Sequence, residues 1–446
     1  MKFNIIICIA CFGLGITGCS KYLDVKPKGA IIAESLQDYE ALLNDQNILN
    51  PFGINTPIIF ATDDVRDLSL APQAQTSVKG NIYFWRPYIN ITKDRPVMWS
   101  EMYNRIANMN LITEEVMNAK DGTKEKKKQI YAEAVVNKAW FYHHLLSFFA
   151  PAYSPVTAGQ DYGVPYVTST DQNDETPTRP SLKTSYETLV NELTAIIGDL
   201  PDQNVNNTRA SKNAARGMLC RLYMSMQDYV NAEKYADQIL ASGASILDYN
   251  QYLSGLPSAS SSTEEIFVKY DVNSTFRFSD ELMARFDAAK DLRIRLQATK
   301  DASGAFYRYG RANSQNPNRG ITYAEIYLNK AECLARRGEV ADAMNIVNEE
   351  IRMKRFAPAD YTPLDAADKE AAISAVLAER RRELAFKGLR WIDMKRLDKD
   401  GRMPPVQRFA NDGTVLATLQ PGSDAYTFQI PLQVQAFNPT MPLNKQ

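Results

Sequence analysis

Cys220-Arg-Leu-Tyr-Met-Ser-Met-Gln-Asp228-Tyr-Val-Asn-Ala232 and Ala331-Glu-Cys-Leu-Ala-Arg-Arg-Gly-Glu339-Val-Ala-Asp-Ala343 align residue for residue. Each begins in an apolar helical pattern, turns at its centre and enters a second helical pattern. Ala232 and Ala343 fall at the same place after the turn, where a small side chain lets two helices approach closely. A helix pair of this kind cannot bury its apolar face alone, so several must stack to make a core.

The unit resembles the tetratricopeptide helical hairpin, and the stretch from Trp99 to Phe149 reads as a further copy. Helical periodicity recurs at Trp99–Met117, Lys124–Phe149, Ser185–Asp199, Ser211–Met226, Tyr229–Leu240, Tyr323–Arg336, Ala341–Lys354 and Ala371–Ala385, while strand patterns are sparse and short. Ser35 with Asp38 reads as a capping box opening a helix through Leu43. Between the helices lie insertions rich in Pro, Gly, Ser, Asn and aromatics, at residues 51–96, 151–180, 251–269, 298–320 and 398–421. Insertions of that length are functional or disordered as a rule. The expected fold is therefore mostly α, a scaffold of tetratricopeptide-like hairpins with long inserted loops and few short strands. Within the loops, Ser258 to Thr263 reads as a solvated low-complexity turn.

The chain opens with Lys2 and an apolar run from Ile5 to Ile16, too short to span a bilayer and typical of an export signal. It ends in Ile16-Thr17-Gly18-Cys19, a lipobox slightly off the usual wording, so cleavage before Cys19 and lipidation of its thiol are expected. Residues 1–18 are then the signal peptide, 19–34 a lipidated tether, and 35–446 one globular unit with halves meeting near residue 250. Of five cysteines, only Cys220 and Cys333 remain in the body, both in apolar helical patterns, and two buried thiols are expected rather than a disulfide framework. With 51 Lys+Arg against 52 Asp+Glu, and nothing more basic than the run Lys124 to Lys128, the chain lacks the footprint of a nucleic-acid binder.

Catalytic machinery is not evident. HExxH, GxSxG and GxxxxGK are absent, no CxxC occurs beyond the export signal, and the two histidines, His143 and His144, point about 100° apart on a helix and cannot share a metal. They read as core or helix-surface residues. Asp171-Gln-Asn173-Asp-Glu175 spaces oxygen ligands like the start of a calcium loop but lacks the turn glycine, which leaves only a weak case for calcium near Asp171. Nothing singles out a glycosidase-type carboxylate pair. No catalytic set, metal site or cofactor is expected.

The sharpest charge pattern is Glu379-Arg-Arg-Arg-Glu383-Leu-Ala-Phe-Lys-Gly388-Leu-Arg390-Trp-Ile-Asp393-Met-Lys-Arg396. Glu379 with Arg382, or Glu383 with Arg380, has helical spacing for an ion pair, and Gly388 is placed as a C-cap turn. A buried network that fixes how this helix docks is the favoured reading.

This stretch is similar to the Glu-Arg-x-x-Glu-Leu…Gly-x-Arg-x-x-Asp-x-Lys-Arg signature of the SusD/RagB family of surface nutrient-binding lipoproteins. Cys19-Ser-Lys-Tyr-Leu-Asp-Val-Lys-Pro-Lys-Gly29 resembles that family's mature start. Trp99 to Asn110, Tyr142 to Pro151 before Gly163-Val-Pro-Tyr-Val167, Glu264-Glu-Ile-Phe267, and Phe428-Gln-Ile-Pro431 with Asn438-Pro439 resemble further family motifs in the same order. Lys387 departs from the family, which commonly has Glu before the glycine. The resemblance implies a lipid-anchored protein on the outer face of the outer membrane. Its partner would be a SusC-like TonB-dependent transporter, over which it sits as a lid handing down ligand. That ligand is usually an oligosaccharide and in some members a peptide.

Sugar rings stack their C–H faces on aromatic rings, and their hydroxyls seek planar donors and acceptors such as Arg, Asp and Asn. Asp63-Asp64-Val-Arg66 with Tyr83-Phe-Trp85-Arg86-Pro-Tyr88 offers both, in a region that contributes ligand contacts in glycan-binding members of the family. Asp64, Arg66, Tyr83, Arg86, Tyr88 and above all Trp85 are the first candidates, the alternative for Trp85 being a loop packed on the helices. Tyr307, Tyr309 and Asn313, beside Phe306, Arg308 and Arg311, form a second set that would equally suit a transporter interface. Trp99, Trp140 and Trp391 lie on apolar helical faces and are expected in the core. Glycan capture leads, with capture of a peptide or other nutrient, and less so a surface glycoside hydrolase, as the alternatives.

Overall fold

The structure, a computed structural model, describes residues 33–446 apart from 51–55, 73–76, 91–94, 172–173, 176, 272–274 and 309–316. The signal peptide, Cys19 and most of the tether lie outside the described residues. The capping box forms as expected: Ser35 Oγ accepts from the Asp38 N–H and the Asp38 carboxylate from the Ser35 N–H, opening α1 (Leu36–Asn44).

Two long helices follow, α2 (Val97–Glu115) and α3 (Lys124–Phe149), packed against each other. Every residue of α3 from Ala132 to Phe149 is buried, so the helix runs through the core with neighbours on all sides. Burial on every face obliges its polar residues to find partners. Glu133 accepts from Arg209, and Lys138 pairs with Glu192 at 3.3 Å. His144 stacks on Trp140 at 3.8 Å and His143 bonds Ser225; burial pushes both imidazoles down, His144 to about 3, and keeps them neutral.

After α4 (Leu182–Ile196) come the two hairpins: α5 (Lys212–Met226) with α6 (Tyr229–Ala241), and α7 (Tyr323–Arg337) with α8 (Val340–Asn345). Their turns match position for position. Gln227 (φ 61°) and Gly338 (φ 94°) are left-handed, and the next residue's N–H reaches back to Tyr223 O (2.9 Å) or Leu334 O (3.0 Å). Ala232 and Ala343 are both fully buried, and α6 packs on α7, so the hairpins stack. Cys220 and Cys333 are free and buried between them.

One helix departs from its expected form. The predicted single helix Ala341–Lys354 is α-helical only to Asn345, then opens into a π turn at Ile346–Ile351 and tightens into a 3-10 turn at Arg352–Lys354. Next come α9 (Lys369–Glu383) and α10 (Arg390–Lys399). α9 ends at Glu383 with Leu384 as its cap, so Gly388 (φ 82°) serves the link to α10 rather than capping α9.

The strands are short, as expected: β1 (Glu265–Phe267), β2 (Phe276–Arg277), β3 (Ala298–Lys300), β4 (Phe306–Arg308), β5 (Ile321–Thr322), β6 (Val406–Phe409) and β7 (Val415–Leu419). They pair antiparallel as β1–β5, β2–β4–β3 and β6–β7. Among the described residues no helix is long and apolar enough to cross a membrane. Trp99, Trp140 and Trp391 are buried, and Trp391 stacks on Tyr426 and Phe428. The Phe428 N–H bonds Phe148 O at the end of α3, tying the closing motif to the axis of the fold.

Candidate functional site

The charge pattern in α9 and α10 folds into a buried lattice of guanidiniums and carboxylates. Glu379 accepts from Arg293 (2.6 Å), Arg352 (3.1 Å) and Arg382 (2.5 Å). Glu383 accepts from Arg293 (2.9 Å) and Arg355 (2.8 Å), while Asp393 joins Arg380 (2.8 Å) to Arg396 (2.9 Å). The expected Glu379–Arg382 pair therefore forms. The alternative Glu383–Arg380 pairing is not used, because Arg380 turns to Asp393 and Asn329. Burial alone would raise these carboxyls; the surrounding arginines outweigh it, drawing Glu379 well below the usual range and holding Glu383 and Asp393 at about 2. Lys387, the departure from the family pattern, adds its positive charge to those that hold Glu383 down.

A group whose folded pKa is depressed contributes stability above its unfolded pKa and loses it as pH falls through the folded value. The melting temperature should accordingly be insensitive to these groups above roughly pH 5 and fall steeply between about pH 4 and pH 2. Circular dichroism melts across that range check this, and a melting temperature level down to pH 3 would contradict the lattice.

The same arginines reach the predicted binding segment. Arg390 grips Asp63 through two bonds of 2.7 Å, and Arg381 donates to Asp64 Oδ1 at 2.8 Å and to Glu281 at 2.7 Å. Asp64 is 1% exposed, so it anchors the segment and cannot present its carboxylate to a ligand, a correction to the sequence reading. Burial raises the Asp64 carboxyl and the charge of Asp63 adds to this, whereas Asp63, gripped from two sides, is held well below the usual range. A cleft of about 400 Å³ opens beside this cluster, lined by Asp63, Glu281, Arg285, Arg381, Arg390 and Arg402 among others.

Trp85 and Tyr83 require the same correction. Trp85 is 4% exposed and Tyr83 2%, and between them lies Arg408 of β6, its guanidinium 4.3 and 4.0 Å from their ring centres. Arg408 donates to the carbonyls of Phe60, Thr62, Val65 and Tyr83. The indole N–H of Trp85 donates to Ala61 O at 2.7 Å, and its backbone is left-handed (φ 51°), a conformation a bulky residue keeps only when its surroundings fix it. Trp85 thus fastens its loop to the helices. Burial lowers Arg408 to about 10, since no carboxylate is bonded to it among the described residues. No local motif marks Arg408; its role comes from strand placement over 300 residues away in sequence.

Part of what remains accessible lies on one edge. Val65 bridges Phe278, the Arg66 N–H donates to Arg277 O (3.1 Å) and the Ser279 N–H to Asp64 O (2.8 Å), which sets segment 63–67 beside the β2–β4–β3 sheet. The two predicted loop sets are thereby brought together. Arg66, paired with Asp280, is partly exposed, as are Arg277, Phe306, Tyr307 and Arg308. Among the described residues the Nε of Arg66 and that of Arg277, both buried, find no acceptor. Arg86 and Tyr88 are half-buried, and Arg86 bonds Asn81. Tyr309, Arg311 and Asn313 lie outside the described residues, as does Asn173 of the calcium-like segment.

Against known families, a sequence model described as starch-binding and associating with the outer membrane matches residues 21–224, and one described as the SusD family matches residues 294–431. The chain belongs to the SusD/RagB family. Its SusD-like fold is shared by a SusD superfamily protein from Bacteroides vulgatus, 18% identical, with 92% of this chain and 99% of that one covered at a TM-score of 0.74. The surface glycan-binding protein A of Bacteroides uniformis matches at 15% identity, covering 92% and 98%, with a TM-score of 0.69. A laminarin-binding SusD-like protein matches at 16%, covering 92% and 99%, with a TM-score of 0.65. No curated protein matches the chain in sequence. The signature that the chain shares with the SusD family is, in this structure, the buried lattice that positions segment 63–67.

Proposed function

We propose that this SusD-family protein captures oligosaccharide at the cell surface for import and does not alter it. The observation that carries the reading is the edge where segment 63–67 meets the β2–β4–β3 sheet. There the partly exposed ring of Tyr307 stands opposite Arg277 in the sheet, beside the partly exposed Arg66, a ring with planar donors of the kind a glycan needs. Two structural relatives, a laminarin-binding SusD-like protein and a surface glycan-binding protein, support the same class. Stacking and hydrogen bonding require neither a cofactor nor calcium. Cys19 would hold the protein by its lipid to the outer membrane, facing outward, above a SusC-like TonB-dependent transporter that receives the ligand.

Calorimetric titration of neutral oligosaccharides into the full protein, purified in detergent, tests the proposal. Saturable heat is expected for at least one glycan class, falling at least tenfold in Tyr307→Ala, which is about 1.4 kcal/mol. Saturable binding confined to peptides would assign the protein to the other cargo class.

A further inference from the structure

A cleft of about 490 Å³ lies away from that edge and shares no residue with it. It opens between the link from α4 to α5, the end of α6, the Ser258–Ser262 turn and the start of α7, and falls within the ~300–1,000 Å³ range of small-ligand sites. Its walls are mainly amides and hydroxyls, with Tyr323 as the one ring. They are held in place from several elements. Asn207 Nδ2 donates to Ala259 O (2.9 Å), Asn213 Nδ2 to Ser242 Oγ (2.7 Å), and Arg216 to Asn213 Oδ1 (3.1 Å). Among the described residues the buried Asn207 Oδ1 and Arg216 Nε have no hydrogen-bond partner.

Charge in the lining is largely consumed internally. Asp202 pairs with Lys212 (2.9 Å), Arg209 with Glu133, and Glu265 accepts from Asn318 (2.5 Å). Arg216, bonded to Asn213 and to no carboxylate among the described residues, is the one charge left over, but the lining balances Asp202 and Glu265 against Arg209 and Arg216 and is otherwise uncharged donors and acceptors, which suits a ligand of many hydroxyls and no net charge. The serine run, which by composition reads as a solvated turn, is an ordered wall: Ser258 Oγ accepts from the Ser261 N–H, and Asn207 holds Ala259.

We infer that this cleft is a second site for a neutral oligosaccharide, so that one long glycan can be held at two places on one rigid chain. Two linked sites raise avidity without any new contact. The inference rests on the capture reading above, and its test separates the two. Hexamers of α-glucan, β-glucan, mannan, galactan and xylan are titrated into the full protein in detergent, alongside Ser260→Trp, which places bulk on an exposed residue of the lining, Asn213→Ala, which removes a hydrogen-bonding wall, and Tyr307→Ala. A hexamer that binds should show two sites per chain, one weakened at least tenfold by each cleft variant and kept in Tyr307→Ala, with saturation slowing amide exchange at residues 204–213 and 258–263. One site per chain, unchanged in both cleft variants and without that protection, overturns the inference while leaving capture intact. No binding by any hexamer overturns both.

Discussion

Glu383→Ala is expected to destabilise the protein by about 3–5 kcal/mol, the range found when one partner of a buried ion pair is removed. The carboxylate takes hydrogen bonds from Arg293 and Arg355, and Arg355 is fully buried, left with Glu264 and the carbonyl of Leu247. The loss is large because the Arg355 guanidinium stays in a low-dielectric interior with its Nε–H left without an acceptor, whereas Arg293 keeps Asp291 and Glu379, and not because the pairs are strong in themselves. Denaturant unfolding of the variant measures it. The exposed pair between Arg337 and Glu233 provides the comparison, and its removal should leave the unfolding curve in place. Equal, small effects from the two changes would mean that the lattice does not fix the docking of α9.

Trp85→Ala should cost about 3–5 kcal/mol of stability, as truncation of a buried tryptophan does. It empties the space over Arg408, frees Ala61 O and leaves a left-handed backbone without the contacts that impose it. Glycan affinity, measured at a temperature where the variant is still folded, should change far less than stability. An unchanged unfolding midpoint with affinity lost tenfold or more would return Trp85 to the ligand and remove it from the core.

These two residues mark where sequence reading succeeds and stops. Lys124–Phe149 was legible to the residue because Thr123 caps it, its side chain accepting from the Lys126 N–H, and no breaker interrupts the run. The two hairpins were legible because their turns and small contact residues repeat at one spacing. The π turn at Ile346–Ile351 was not, since one wide turn leaves the apolar period nearly unchanged. Trp85 failed for a different reason: composition shows that a loop carries aromatics but not what covers them, and the cover is Arg408. Asp64 failed likewise, its charge spent on Arg381, 317 residues away. The juxtaposition of the two candidate loops also came only with tertiary structure, through the Val65–Phe278 bridge. The asparagines and serines of the larger cleft carry no motif at all; their meaning lies in facing one another across a gap.

The acid sensitivity, the Glu383 effect and the Trp85 effect all concern the frame, and each can hold whatever the cargo. Capture itself is tested most directly by incubating the protein with each polysaccharide class and measuring two things together: glycan retained at equilibrium dialysis, and the size of the glycan recovered afterwards by mass spectrometry. Saturable retention of at least one class is expected, with the glycan recovered at its original length after prolonged incubation. Recovery of shortened products that disappear on mutation of a single carboxylate would contradict it, and so would the absence of retention across every class.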